Sequence, residues 1–240
     1  MQTLIDMFPL SIYAVNIHRV VTSMANPRAS SAPRARRAAR YHHGDLRRAL
    51  IDTALGMVTE EGAWNFTLRE VARRAGVSHM APYNHFEDKS ALLAEVAALG
   101  FQSLRQTLEG ATRRHPHSAR QALANISAAY VRFGVQRPAH YRLMFGAELA
   151  EKARYPNLQA ASDATFAVLT SVLERGQASG QVGRGSVRDQ ALAAWSLVHG
   201  LTTLLIDQRV GFLGISTAEA ERHARQAGTA LFDGLRGKTD

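Results

Sequence analysis

Residues 67–86 constrain the possible folds of this chain more than any other stretch. Thr67, with Glu70 three residues later, forms a capping-box pattern that predicts the start of a helix. Gly76 predicts the end of that helix, because glycine readily adopts the positive φ that follows a helix C-terminus. Ser78 is then a second candidate N-cap. Two short helices joined by such a turn are typical of a helix-turn-helix unit, whose second helix enters the DNA major groove.

The second predicted helix, residues 79–85, has a composition that suits a surface partner. It carries no formal charge and is rich in His, Tyr and Asn. Pro82 is tolerated only in a first helical turn, where the missing N–H matters least. The alternative is an ordinary amphipathic hairpin inside a helical bundle, because helices with this spacing are common.

A supporting helix precedes this pair. Residues 45–61 have an apolar stripe at helical spacing, and Gly62 is expected to end the helix. The three helices together have a small predicted core. It comprises Leu50, Ala54, Met57, Val58, Phe66, Leu68, Val71, Ala72, Val77, Tyr83 and Phe86.

Helical periodicity continues along the rest of the chain, and no segment shows the alternation of a strand. The sequence therefore predicts an all-α protein. A short helix is expected to begin at Pro138, and Thr217 is expected to cap the last helix. The longer helices are predicted over residues 88–108, 119–135, 158–179 and 186–210.

A basic segment lies directly before the predicted helix-turn-helix unit. Residues 28–40 contain five arginines and no acidic residue, and their Ser, Ala and Pro content favours a flexible arm. The whole chain has 29 Lys and Arg residues against 20 Asp and Glu residues, which gives a formal net charge of +9. Such an excess favours polyanionic partners, so we expect the arm to contact DNA phosphates. The alternative is a solubilising tail.

Residues 1–27 allow two interpretations. They form a short added helix, or they are a non-native extension upstream of a true start near Met24, which is the interpretation we favour. A signal peptide is not expected, because no basic segment precedes the apolar residues and no clean small-residue cleavage site follows them.

The supporting helix, residues 67–86 and the helix after them together resemble the TetR family of bacterial transcriptional regulators over about residues 44–104. The matching positions are Gly62, Phe66, Thr67, Val71, Ala72, Ala75, Gly76, Val77, Ser78, Tyr83, Phe86, Lys89, Leu92 and Leu93. Trp195, His199 and Gly200 form a W-x-x-x-H-G pattern that resembles the WHG-type ligand-binding domain of some TetR-like regulators. The resemblance implies an all-helical homodimer that acts as a repressor. It also implies a C-terminal pocket whose small-molecule ligand releases DNA.

The resemblance and the helical pattern together predict three regions. A flexible extension with the basic arm covers residues 1–40, a helix-turn-helix DNA-binding domain covers 41–104, and a helical ligand-binding and dimerisation domain covers 105–240. The helix that contains residues 195–206 is apolar nearly all round, so it must be covered on several sides. Pairing it and the last helix with their copies in a second subunit supplies that cover. Two-fold symmetry then predicts a near-palindromic DNA operator.

Several residue types in the DNA-binding region suit the phosphate backbone. Thr67 and Lys89 lie at helix N-termini or beside them, where hydroxyl, ammonium and backbone N–H groups suit phosphate. Tyr83 is expected to place its hydroxyl on a phosphate and its ring in the core. Tyr41, His42 and the arm before them are expected to reach the flanking backbone.

Other residues suit base edges. Asn84 can pair with adenine, and apolar contacts such as Met80 or Ala81 suit a thymine methyl group. Residues 79–82 depart from the common family pattern, and no Lys or Arg follows Arg74 in the unit, so an Arg–guanine contact is not expected and A·T-containing positions are favoured. The candidate DNA-binding residues are Arg36, Arg37, Arg40, Tyr41, His42, Thr67, Ser78, His79, Met80, Ala81, Tyr83, Asn84, His85 and Lys89.

The C-terminal helices contain bulky or polar-aromatic residues that suit a pocket for a small hydrophobic effector. Each of them is as well explained as an ordinary core residue. Trp195 and His199 lie four residues apart on one helical face, and His199 must find a hydrogen-bond partner within an apolar run. The candidate ligand-binding residues are Tyr141, Met144, Phe145, Phe166, Trp195 and His199.

The competing class of protein is an enzyme, and the sequence lacks the motifs that would indicate one. There is no His-Glu-x-x-His, Gly-x-Ser-x-Gly or phosphate-loop pattern. Without cysteine, no thiolate metal site can form, and His115 and His117 lack further ligands at a metal-binding spacing. We therefore expect no enzymatic activity, cofactor or metal. The alternatives are a helical metalloenzyme and a non-specific nucleic-acid-binding protein.

Membrane insertion is not expected either. The longest apolar run, residues 195–206, falls short of the roughly 18 residues that suggest a membrane span. The absence of cysteine is typical of a reducing compartment, and we expect a cytoplasmic protein.

Overall fold

The computed structural model describes residues 43–113 and 117–236, with side chains from residue 46 onward. Within these ranges all regular secondary structure is helical, which confirms the predicted all-α class. The helices are α1 (His43–Glu61), α2 (Leu68–Arg74), α3 (Lys89–Thr112), α4 (Ala119–Gln136), α5 (Pro138–Phe145), α6 (Pro156–Ala178), α7 (Val187–Ile206) and α8 (Thr217–Leu235). The described residues do not include 1–42. The predictions for residues 1–40, including the basic arm, therefore lie outside them, and so do five candidate DNA-binding residues: Arg36, Arg37, Arg40, Tyr41 and His42.

The predicted end of α1 and both predicted bounds of α2 are confirmed, whereas α1 begins at His43, two residues before the predicted start. Gly62 and Gly76 follow these helices with φ of +68° and +70°. Thr67 caps α2: its hydroxyl accepts a hydrogen bond from the Glu70 N–H at 3.2 Å, and the Glu70 carboxylate accepts one from the Thr67 N–H at 2.6 Å. Both hydrogen bonds of the predicted capping box are therefore present.

The second helix of the helix-turn-helix unit is shorter than predicted. Residues 78–86, called the recognition segment below, contain only a four-residue 3-10 helix, Ala81–Asn84. The Ser78 hydroxyl accepts from the Met80 N–H at 3.4 Å within a turn and does not cap an α-helix. Pro82 lacks an N–H, and its carbonyl accepts from both the His85 and Phe86 N–H groups at 2.9 Å, which closes the segment after one turn.

The predicted core of the first three helices is confirmed except at two positions. Tyr83 is 45% exposed, so its ring does not pack in the core, and Pro82 is buried beside Phe86 instead. With three residues per turn, Met80 and Tyr83 share the outward side of the 3-10 helix. Val77 is only partly buried.

The helices from α3 onward form a bundle around a main apolar core, which is continuous with the core of α1 and α2, and a smaller apolar cluster lies between α4 and α8. α4 packs against α3, α7 and α8, and α6 packs against α3. Gly228 allows α8 to approach α4 closely, because a Cβ at Gly228 would lie 2.9 Å from the carbonyl oxygen of Leu123. The N-cap of α8 is Ser216, one residue earlier than predicted, since Ser216 forms a capping box with Glu219.

α3 connects the helix-turn-helix unit to the bundle without a break. It was predicted to end near residue 108 and extends to Thr112. Asp88 caps its N-terminus, accepting a hydrogen bond from the Ala91 N–H at 2.7 Å. The helix therefore crosses the predicted domain boundary between residues 104 and 105, and its two ends belong to the two predicted domains.

Candidate DNA-binding surface and ligand cavity

The recognition segment presents most of the predicted base-reading residues on one surface. Pro82 and Phe86 are buried and hold the segment against the core of α1, α2 and α3. Two of the predicted residues, Ala81 and His85, are partly buried. The others are exposed: Ser78, His79, Met80, Tyr83 and Asn84.

Thr67 and Lys89 flank this surface at the N-termini of α2 and α3. The Thr67 N–H and hydroxyl both donate to the Glu70 carboxylate, at 2.6 and 2.9 Å. The backbone hydrogen bond from Thr67 is the largest of the effects that hold the pKa of Glu70 below its usual value. The Lys89 ammonium lies 5.7 Å from the ring centroid of Phe66. The Thr67 N–H and hydroxyl already cap α2, so Thr67 can bind a phosphate only by sharing these groups. The contact of Lys89 with the Phe66 ring is weaker, so its ammonium is freer to bind a phosphate.

Two arginines that were not predicted to bind DNA lie on the exposed side of α2. Arg69 and Arg73 are exposed and form no salt bridge within residues 43–113 and 117–236. Arg74 differs, since it pairs with the Glu60 carboxylate and lies 3.6 Å from that of Glu61. The sequence could have indicated their exposure, because both residues lie off the apolar positions of the helix that precedes the recognition segment.

A cavity of about 320 Å³ lies between α3, α4, α6 and α7. Its walls are mainly apolar and aromatic, as in most small-molecule sites. Three of the six predicted ligand-binding residues line it: Phe145, Phe166 and Trp195. The other three, Tyr141, Met144 and His199, lie outside its lining.

The remaining predicted residues support the cavity from behind. Met144 is fully buried against α3, where a Cβ on Gly100 would lie 2.7 Å from its sulfur. Tyr141 is also buried, and its hydroxyl lies 2.6 Å from His199 Nδ1. The rings of Tyr141 and His199 stack, with their centroids 5.4 Å apart. His199 thus finds the hydrogen-bond partner that its apolar surroundings require.

Tyr130 of α4 connects the cavity wall to this buried pair. Its hydroxyl accepts a hydrogen bond from Trp195 Nε1 at 3.1 Å and lies 3.2 Å from the Tyr141 hydroxyl and 3.0 Å from His199 Nδ1. Burial raises the pKa of Tyr130 and raises that of Tyr141 to about 12. Burial, followed by the nearby Lys152 charge, lowers the pKa of His199. The neutral hydroxyl of Tyr130 therefore holds Trp195 in the cavity wall, and the neutral side chains of Tyr141 and His199 hold the Tyr130 hydroxyl in place.

Lys152 is a charged residue of the cavity lining that the sequence did not indicate. It begins a 3-10 helix, Lys152–Arg154, between α5 and α6. Its ammonium lies 4.4 Å from the ring centroid of Phe101 and 5.4 Å from that of Phe145, and donates to the Ser162 hydroxyl at 3.2 Å. Burial lowers the pKa of Lys152, and the nearby Asp163 carboxylate partly opposes this shift.

No cluster of three or more His, Asp or Glu side chains in the described ranges has the arrangement of a metal site. His115, one half of the His-x-His pair considered above, lies outside those ranges. Among the helices that the structure describes, none has the length and apolar character needed to cross a membrane.

Two family models match the chain. A model for "Bacterial regulatory proteins, tetR family" matches residues 50–96, the helix-turn-helix unit and the start of α3. A model for "Tetracyclin repressor-like, C-terminal domain" matches residues 123–231, which include most of the cavity wall. The chain belongs to the TetR family of helix-turn-helix transcriptional regulators, as its sequence resemblance indicated.

Individual relatives agree with this family. The uncharacterized HTH-type transcriptional regulator YobS of Bacillus subtilis is 29% identical over 164 residues, which cover 68% of this chain and 80% of YobS. A solved structure from Rhodococcus sp. RHA1, of a protein with unknown function, is 33% identical with a TM-score of 0.70 and covers 83% of this chain and 100% of that one. A tetR-family regulatory protein from Rhodococcus RHA1, 20% identical, shares the fold with a TM-score of 0.57 over 80% of this chain and 97% of its own.

Proposed function

We propose that this regulator is a repressor that binds a near-palindromic operator as a homodimer and releases it when a small hydrophobic effector binds. The continuity of α3 is the observation that carries this proposal. α3 begins directly after the recognition segment, and its residues Phe101, Leu104 and Leu108 line the cavity. A ligand that displaces these side chains acts on the same helix that supports the DNA-binding surface. In this proposal the protein binds and releases its partners and catalyses no reaction.

The same continuity supports a division of labour along the chain. Residues 41–104 are proposed to contact DNA, through the recognition segment and the N-termini of α2 and α3. Residues 105–240 are proposed to hold the effector and the second subunit. α3 belongs to both regions, so the boundary between them lies within one helix. The proposed role of the chain changes along this helix, and no flexible linker is required.

Exposed apolar side chains on α7 support the homodimer. Leu197 and Leu204 are 42% and 44% exposed and lie two turns apart on one side of the helix. Between them, a Cβ on Gly200 would meet no atom within 4 Å, so a partner helix can approach closely there. The loop after α7 adds Phe212 and Leu213, which are also exposed. Two-fold pairing of this surface would bury it and place two recognition segments on one operator.

Binding-site selection with the purified full-length protein tests the DNA-binding part of this proposal. We expect a near-palindromic site with A·T-containing positions in each half, bound in the presence of excess random DNA. Equal binding to random DNA would show a non-specific nucleic-acid-binding protein and would overturn the proposal.

Effector release is tested separately, on the selected site, with a panel of small hydrophobic compounds. A Leu169→Trp variant fills part of the cavity and should bind the operator normally but respond less to any compound that releases the wild-type protein. Ala160→Trp, on the exposed side of α6, is the control and should respond as the wild type does. Unchanged release in the Leu169→Trp variant would remove the cavity from the mechanism.

A further inference from the structure

The lining of the cavity is mainly apolar, and its charged side chains lie on α6, α7 and the loop before α6. Lys152, Ser162, Asp163 and Arg188 all line it. Two cations and one carboxylate therefore border an otherwise aromatic and aliphatic space. This asymmetry carries information about the ligand, because a purely hydrophobic molecule would need none of these groups.

Lys152 has few interactions within the protein that compensate its charge, so its ammonium is available to a ligand. Its ammonium is half-buried over two aromatic rings and bonds to one hydroxyl, that of Ser162. Among the ion pairs within residues 43–113 and 117–236, none involves Lys152. A partly desolvated cation without a direct ion pair is unfavourable, and an incoming anion would relieve that cost.

Asp163 compensates this cation only in part. Its carboxylate is exposed and accepts a hydrogen bond from the Gln159 side chain at 2.7 Å on the same helix. Arg188 of α7 is a second, exposed cation of the lining, so the net charge of the lining stays positive. The electrostatic balance of the cavity favours a ligand with one negative charge.

We propose that the cavity binds a small amphipathic carboxylate, with the carboxylate on Lys152 and the apolar body against Phe166, Leu169 and Trp195. This inference rests on the proposed function only in taking the cavity as the effector site. The volume of about 320 Å³ is at the lower end of ligand pockets, which limits the body to one aromatic ring or a medium-length alkyl chain. An organic cation is disfavoured, because the lining has two cations, Lys152 and Arg188, against one carboxylate, Asp163, and the Lys152 ammonium already lies over two of the aromatic rings.

The test measures direct binding to the full-length protein by isothermal titration calorimetry, without DNA. The probes are octanoate and 3-phenylpropanoate, their methyl esters, and octylamine and 3-phenylpropylamine, which have matched bodies and a negative, neutral or positive head. We expect at least one carboxylate to bind about 10- to 100-fold more tightly than its ester and its amine, as a charged hydrogen bond would give.

Three variants identify the group responsible. Lys152→Met removes the charge and keeps an apolar side chain of similar length, so it should lose that preference for carboxylate over ester. Lys152→Arg retains the charge and should retain the preference. Arg154→Met is the matched control, because Arg154 lies on the same 3-10 helix, is exposed, and is outside the cavity lining. Thermal unfolding of each variant verifies that it is folded.

The proposal is overturned if no carboxylate probe binds, if ester or amine binds as tightly as carboxylate, or if Lys152→Met keeps the preference. Operator binding by the same proteins, measured without ligand, is a separate readout. If a carboxylate binds through Lys152 but leaves DNA bound, the ligand inference stands and effector release fails. If random and selected DNA bind equally, the regulator proposal fails whatever the calorimetry shows.

Discussion

The exposed surfaces of α2 and of the recognition segment have different chemistry. α2 presents Arg69 and Arg73, which are cations without a salt bridge in the described ranges, and the recognition segment presents neutral groups such as Met80 and Asn84. Cations act on phosphates of any sequence, whereas an amide can distinguish base edges. Affinity and base preference should therefore be separable by substitution.

Asn84→Ala should relax base preference more than it lowers affinity. A bidentate Asn–adenine contact contributes about 1–3 kcal/mol of discrimination against the wrong base. The measurement is competition between the selected operator and single-base variants of it. Asn65→Ala, at an exposed position before α2, is the control and should leave discrimination intact. If Asn84→Ala discriminates as well as the wild type does, Asn84 does not read a base.

Arg69→Ala and Arg73→Ala should weaken binding to all DNA sequences by similar factors. Each lost phosphate contact should reduce the salt slope of log K by about 1. The measurement is fluorescence anisotropy over a range of salt concentrations. Arg74→Ala is the matched control on the same helix: Arg74 is paired with Glu60 and Glu61, so its loss should leave the slope nearly unchanged. If the salt slope of all three variants equals that of the wild type, α2 does not contact the phosphates.

Lys152 shows why part of the site could not be predicted from the sequence. A single lysine in a loop has no periodic signal, and only the folded chain shows that it lies over Phe101 and Phe145. Tyr130 has the opposite problem. Its helical spacing indicates a core residue, which it is, but its hydroxyl also joins Trp195 to His199.

The elements themselves were more predictable than their contacts. Capping residues and glycines act locally, so Gly62 indicated the end of α1 correctly, and Thr67 and Gly76 indicated the bounds of α2. The recognition segment differs from its prediction because Pro82 and the Ser78 turn favour a single 3-10 turn over a continued α-helix. Local signals therefore predicted where helices begin and end, but not the competition between two types of helix.

α5 carries a buried histidine that should make the fold sensitive to acid. Burial, with a smaller effect of Arg137, lowers the pKa of His140 to about 4 from an ordinary value of 6.5. Above pH 6.5 the residue is neutral in both states. As the pH falls from 6.5 to 4, the unfolded chain binds a proton first, so the free energy of unfolding falls, by ~3 kcal/mol at most.

Chemical denaturation at a series of pH values checks this expectation. The difference in free energy of unfolding between wild type and His140→Gln should change between pH 6.5 and 4 and be constant above that range. His223→Gln, at an exposed position on α8, is the control and should show no such change. A constant difference for His140→Gln across the whole range would mean that His140 titrates normally in the folded protein.

At the scale of the whole molecule, the described chain has an apolar surface that a monomer leaves in water. Leu197, Leu204, Phe212 and Leu213 are all exposed on α7 and the loop after it. Exposed apolar patches of this kind mark interaction sites more often than they persist in monomers. The extent of this surface follows from the packing of α7 against α4, α6 and α8, which periodicity alone does not reveal.

Leu197→Asp combined with Leu204→Asp should convert the proposed homodimer to a monomer and lower operator affinity by at least about tenfold, because one recognition segment then binds alone. Size-exclusion chromatography with light scattering measures the oligomeric state. Ala160→Asp places the same charge on the exposed side of α6 and should leave the dimer intact. A dimer that survives the double substitution must form through another surface.

The length of α3 would convert a small movement at the proposed effector cavity into a larger one at the proposed DNA-binding surface. At ~1.5 Å of rise per residue, Lys89 and Leu104 are separated by roughly 22 Å along the axis. A tilt of about 5° centred on the cavity would then move the start of α3 by roughly 2 Å. In a two-fold dimer both copies move, while the half-sites stay about 34 Å apart. If α3 pivots where the ligand presses on it, a ligand at Leu108 would place the pivot farther from Lys89 than a ligand at Phe101 would. The position of the effector along α3 should therefore determine how strongly it alters the spacing of the two recognition segments.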